Sequence, residues 1–91
     1  MPKYLIRREV PGAGGLGPDQ LHGLSAKSNA VLAQIGPGVQ WVQSYVTGDK
    51  LFCVYNADNE DKIREHARLG GFPCDEITQV SAIIDPVTGE D

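Results

Sequence analysis

The chain predicts an α+β domain: an antiparallel four-stranded sheet with two helices on one face, in the order βαββαβ. Three observations carry that prediction. Two stretches repeat their apolar residues at helical spacing, four others read as strands, and Gly- or Pro-containing breaks separate them. At 91 residues the chain has the length of one domain, with a thin core, because small chains bury a smaller share of their surface.

Residues 3–10, KYLIRREV, place Tyr4, Ile6 and Val10 on one face of a first strand. Leu21, Leu24, Val31, Leu32 and Ile35 then recur at helical spacing. Pro18 suits the first turn of that helix, and Gly36-Pro37 ends it. Residues 39–47 and 50–57 are two strands rich in β-branched and aromatic residues, joined at Gly48-Asp49 by a tight turn. A two-residue turn there pairs Val46 with Leu51, Ser44 with Cys53 and Val42 with Tyr55. Asp58 is expected to cap a second helix running to about Leu69, with Glu60 and Asp61 in its first turn, Arg68 near its end and Gly70-Gly71 closing it. Residues 79–85, QVSAIID, read as the last strand and residues 86–91 as a frayed tail. This order is the split βαβ, or ferredoxin-like, arrangement, and residues 1–91 form one such domain without internal repeats.

Composition narrows the function classes. The hydrophobic share of 41% and charged share of 22% suit a soluble domain. A formal net charge of −4 without a basic cluster argues against a nucleic-acid partner. No apolar run is long enough to span a membrane. Charges in MPKYLIRREV interrupt the place where a signal peptide carries its apolar stretch, so a cytoplasmic location is expected, with Cys53 and Cys74 as reduced thiols. Gly12, Gly14 and Gly17 match G-x-G-x-x-G, but no acidic residue falls between Asp19 and Asp49 to hold a ribose, and Pro18 has no N–H to offer a phosphate. The glycines therefore read as a flexible connector.

The predicted hairpin has two apolar faces. One carries Val42, Ser44 and Val46 with Leu51, Cys53 and Tyr55; the other carries Trp41, Gln43 and Tyr45 with Phe52, Val54 and Asn56. A sheet covered on one side only should alternate apolar with polar residues. The expected cover for the second face is another copy of the chain, giving a homodimer of the dimeric α/β-barrel type.

Few side chains offer site chemistry. His66 shares a helix face with Ile63, Ala67 and Gly70, which turns it toward the sheet among small neighbours. There it reads either as a boundary histidine near a helix C-terminus or as a metal ligand or acid–base group. Cys53 and Tyr55 share one face of a strand and rank second and third as site residues. Cys74 meets His66 only if the GGFP segment folds back, and His22 is expected in solvent. No C-x-x-C or H-x-x-x-H pair and no Ser-His-Asp set stands out.

The segment WVQSYVTGDKLFCVYNADNEDKIREHARLGGFP resembles small bacterial proteins described as nickel-responsive or nickel-binding. The pieces that carry the likeness are the W-V-x-S-Y-V strand, the F-C-V-Y strand with an alanine after it, and the helix bearing a histidine before a glycine. The resemblance extends from about Tyr4 to Asp85. It implies a ferredoxin-like fold, dimeric assembly and Ni²⁺ binding. Relatives carry a second histidine four residues after the first, where this chain has Gly70. A site in this chain therefore centres on His66 and recruits Cys53, Tyr55 or a residue of a partner subunit. By the general affinity order of divalent metals, Zn²⁺ and Cu²⁺ compete for such donors. The leading expectation is a metal-binding protein. The alternatives are a small-ligand-binding module and, less favoured, a cofactor-free dimeric enzyme of monooxygenase or isomerase type, in which His66 moves a proton and Tyr45 or Tyr55 orients the substrate.

Overall fold

Strict burial alternation in two strands organises the molecule. The computed structural model describes residues 1–91. Strand β1 (Lys3–Glu9) turns Tyr4, Ile6 and Arg8 inward, and β3 (Lys50–Ala57) turns Leu51, Cys53, Tyr55 and Ala57 inward. These strands pair antiparallel at the centre of the sheet, Tyr4 opposite Tyr55 and Ile6 opposite Cys53. Strand β2 (Val39–Val46) flanks β3 and β4 (Glu76–Gln79) flanks β1, giving the order β2-β3-β1-β4 with every neighbouring pair antiparallel. Helices α1 (Pro18–Ile35) and α2 (Glu60–Gly70) complete the predicted ferredoxin-like βαββαβ arrangement.

The helix ends follow their local chemistry. Pro18 occupies the first turn of α1, where a missing N–H costs nothing, and the Gln20 side chain accepts the Gly17 N–H at 2.9 Å. The cap of α2 is Asn59, whose Oδ1 accepts the Lys62 N–H at 3.1 Å, one residue later than the expected Asp58. Gly71 closes α2 at φ 69°, a left-handed conformation that suits glycine.

Three further expectations are revised. First, β2 is bulged between Trp41 and Gln43, so Trp41 rather than Val42 lies opposite Tyr55, while Ser44–Cys53 and Val46–Leu51 pair as expected. The extra residue moves Trp41 to the helix-covered face. Second, the last strand is Glu76–Gln79 instead of residues 79–85. Its partner strand runs out: Gln79 faces Tyr4, and the Val80 N–H bonds to the Lys3 carbonyl at 2.8 Å, where β1 begins. Ile83 and Ile84 consequently stay exposed. Third, residues 86–89 form a 3₁₀ turn capped by Asp85.

The glycine loop docks on the hairpin turn. The Gly12 N–H donates to Asp49 Oδ1 and the Gly14 N–H to the Gly48 carbonyl, both at 3.0 Å. Gly12 is left-handed at φ 76°, and a Cβ on Gly14 would crowd the Gly48 backbone at 3.0 Å. These glycines serve close backbone packing, and two of the amides a phosphate would need are already engaged.

Candidate functional site

A cavity of about 330 Å³ lies between the N-terminal half of α1, the end of α2 and the inner face of the sheet. Its more exposed lining combines the apolar Leu21, Leu24, Trp41 and Val46 with Ser25, Lys27 and Ser44. Its floor is polar, formed by Arg8, Ser28, Cys53, Tyr55 and His66. The helical repeat Leu21, Leu24, Ser28 lines the α1 wall at i, i+3 and i+7. The bulge in β2 supplies Trp41, held by its indole N–H donating to Ser44 Oγ at 2.9 Å.

His66 is fully buried on the floor, as its place on the Ile63–Ala67–Gly70 face of α2 predicts. Its Nε2 meets Ser28 Oγ at 3.0 Å, tying α2 to α1. The ring sits between Tyr55 and Phe72, with centroids 5.4 and 5.2 Å away. Its Nδ1 is buried with no hydrogen-bond partner. Burial first, and the nearby Arg8 guanidinium second, lower its pKa to about 4, so the ring is neutral at physiological pH.

Arg8 is the residue that sequence reading passed over. Only 4% of it is exposed, and its two hydrogen bonds go to the Pro73 carbonyl and, at 3.3 Å, to the Tyr55 hydroxyl. Its Cζ lies 5.9 Å from the Tyr55 ring centre and 5.8 Å from that of Phe72. Burial disfavours the charge, but Tyr55 and Cys53 outweigh it and hold the Arg8 pKa above its ordinary value. Burial likewise raises the Tyr55 pKa, with Arg8 opposing, so its phenol keeps its proton at neutral pH. The missed signal was the period of two in KYLIRREV: the row Tyr4, Ile6, Val10 has Arg8 as its fourth member.

The three sequence-predicted site residues, His66, Cys53 and Tyr55, thus line one cavity. Cys74 does not join them. The GGFP segment does fold back, with the Phe72 N–H on the Ala67 carbonyl at 2.9 Å, but it delivers Phe72 to His66. A Cβ on Gly70 would fall within the Phe72 ring, so Phe72 fills the space that a side chain at position 70 needs. His22 is exposed, as expected.

The donor set can be tested against a metal ion. The orphaned Nδ1 of a neutral imidazole is the kind of donor a transition metal takes. However, no group of three His, Cys, Asp or Glu side chains is arranged to hold a cation, and the Arg8 charge stands beside the donors. These residues do not by themselves fit a bare divalent ion.

A family model described as nickel responsive protein SCO4226-like matches residues 4–80. Among solved structures, the crystal structure of SCO4226 from Streptomyces coelicolor A3(2) superimposes with a TM-score of 0.75 at 19% identity, over 90% of this chain and 99% of that one. That likeness supports the fold. Comparison with curated proteins gave no match.

Proposed function

The chain belongs to the SCO4226-like family of nickel responsive proteins, and from that premise we propose that it is a small-ligand-binding module whose working part is the cavity over Arg8, Tyr55 and His66. One observation carries the reading: a largely apolar lining surrounds a few buried, convergent polar groups, the usual make-up of a small-molecule site. Trp41 is the only tryptophan of the chain and lines that cavity, so it reports on occupancy. Titration of the wild-type protein with small cyclic organic molecules, charged and neutral, is expected to change Trp41 emission saturably. No change at millimolar concentration with any of them would overturn the reading.

Nickel binding is the second reading, favoured by the family and by the orphaned His66 Nδ1. In this reading His66 is the first donor, with Cys53 and Tyr55 beside it, and the remaining ligands come from a co-bound molecule or a partner subunit. Calorimetric titration with Ni²⁺ tests it directly: stoichiometric binding that His66→Ala abolishes supports it, and binding unchanged in the variant removes His66 from any metal site. A role for His66 as proton carrier is weaker, because a base with a pKa of about 4 is poorly matched to neutral pH.

The outer face of the sheet supports the homodimer as a further part of this proposal. Leu5, Val42 and Tyr45 are exposed there beside half-buried Phe52 and Val54. This apolar strip, bordered on the same face by the paired charges of Arg7, Glu9 and Lys50, is suited to a second copy of the chain. A monomer mass by light scattering at micromolar concentration would overturn that assembly. No helix is long and apolar enough to cross a membrane; the cytoplasm remains the proposed location.

A further inference from the structure

We infer that the occupant of this cavity is a small organic anion, a carboxylate that pairs with Arg8 while its apolar body lies against Leu24, Trp41 and Val46. The inference rests on the ligand-binding reading above and names the ligand class.

Arg8 carries a buried positive charge that no carboxylate of the chain pairs with. The ion pairs of the molecule belong to Arg7 and Lys50, both with Glu9, and to Arg64 with Glu60. Arg8 has instead a backbone carbonyl, a phenol and two ring faces. A charge taken out of water is ordinarily matched by an opposite one, and a guanidinium can donate five hydrogen bonds, of which two are made here.

The rest of the lining agrees in sign. Lys27 is a second cation at the cavity, its Nζ 5.5 Å from the Phe72 ring centre, and no aspartate or glutamate lines it. The chain as a whole has 12 acidic against 8 basic residues, so this is a local reversal of its overall charge. A planar carboxylate matches the fork of a guanidinium. The largely apolar lining selects against small, strongly hydrated inorganic anions, which would leave the walls of Leu21, Leu24, Trp41 and Val46 without contact.

Cyclohexanecarboxylate and its neutral analogue cyclohexanecarboxamide form a matched, optically transparent pair of probes. On the wild-type protein, Trp41 emission is expected to give about tenfold or more tighter binding for the carboxylate, as charge-assisted pairing requires. In Arg8→Gln the ratio of affinities should fall to about one, whereas Lys27→Met should keep most of it. Equal binding of both probes to the wild type would overturn the anion inference and leave the ligand-binding reading standing. Binding of neither would end both. If Arg8→Gln does not fold, the wild-type ratio decides alone. A ratio lost in Lys27→Met but kept in a folded Arg8→Gln would overturn the pairing with Arg8.

Discussion

The two faces of the central strand pair differ both in burial and in composition. On the inner face Tyr4, Ile6, Cys53 and Tyr55 are buried almost completely. On the outer face Leu5 is exposed, and Phe52 and Val54 are covered only in part. The inner row is apolar except for Arg8, whereas the outer row sets Leu5, Phe52 and Val54 among Lys3, Arg7, Glu9, Lys50 and Asn56, so composition already separates them. The burial follows the same division, because α1 and α2 lie on the apolar side alone. The inner row also holds the cation, phenol and thiol of the cavity floor, to which α2 adds the imidazole. The sheet thus carries its chemistry where the helices enclose it and its spare apolar surface where a second chain can lie.

Truncation should expose this difference most strongly. Ile6→Ala removes a side chain with no exposed surface and is expected to destabilise by about 2–5 kcal/mol, whereas its neighbour Leu5→Ala should cost less than about 1 kcal/mol. Urea unfolding of the two variants gives the comparison directly, and similar losses would mean that the outer face is also core.

Acid should act through the inner face. His66 titrates at about 4 when folded and about 6.5 when unfolded, so between those values the unfolded chain binds a proton that the folded one refuses. This contribution to stability is therefore unchanged above pH 6.5 and falls as the pH drops from 6.5 to 4, by roughly 3 kcal/mol in total. Below 4 it levels off. His66→Leu should flatten that segment of the stability–pH curve, and an equally steep curve in the variant would assign the slope to other groups.

The outer face should respond in assembly more than in stability. Leu5→Lys is expected to change unfolding free energy by no more than about 0.5 kcal/mol while shifting a dimer toward monomer mass. A dimer that survives this change at micromolar concentration would place the contact elsewhere.

Local sequence is enough for the element order, from periods of two and of three to four, and for the boundaries of α1, from Pro18 and Gly36-Pro37. It is also enough for the inward position of His66, from its spacing to Ile63, Ala67 and Gly70. The register of β2 was not legible. A bulge adds one residue without a strong local signature, and that residue alone decides which face Trp41 joins. The end of β4 was misread for a different reason. The apolar run Val80, Ile83, Ile84 looks like a strand, but pairing stops where β1 starts, which is a tertiary fact. Arg8 was legible in principle, as a charge inside an apolar alternation. Phe72 was not, since only the fold-back of residues 70–73 shows that it fills the space beside His66.

The central claim is that the cavity is a binding site and not merely imperfect packing. Thermal unfolding of the wild type and of Leu24→Phe, each with and without cyclohexanecarboxylate or cyclohexanecarboxamide, tests it most directly. Leu24 lines the cavity, and a larger ring there fills space that a ligand would use. The expected result is a ligand-dependent rise in the Tm of the wild type, lost in a variant that folds as well or better without ligand. A wild-type Tm that moves with neither cyclohexanecarboxylate nor cyclohexanecarboxamide, or an equal rise in both proteins, would contradict the claim.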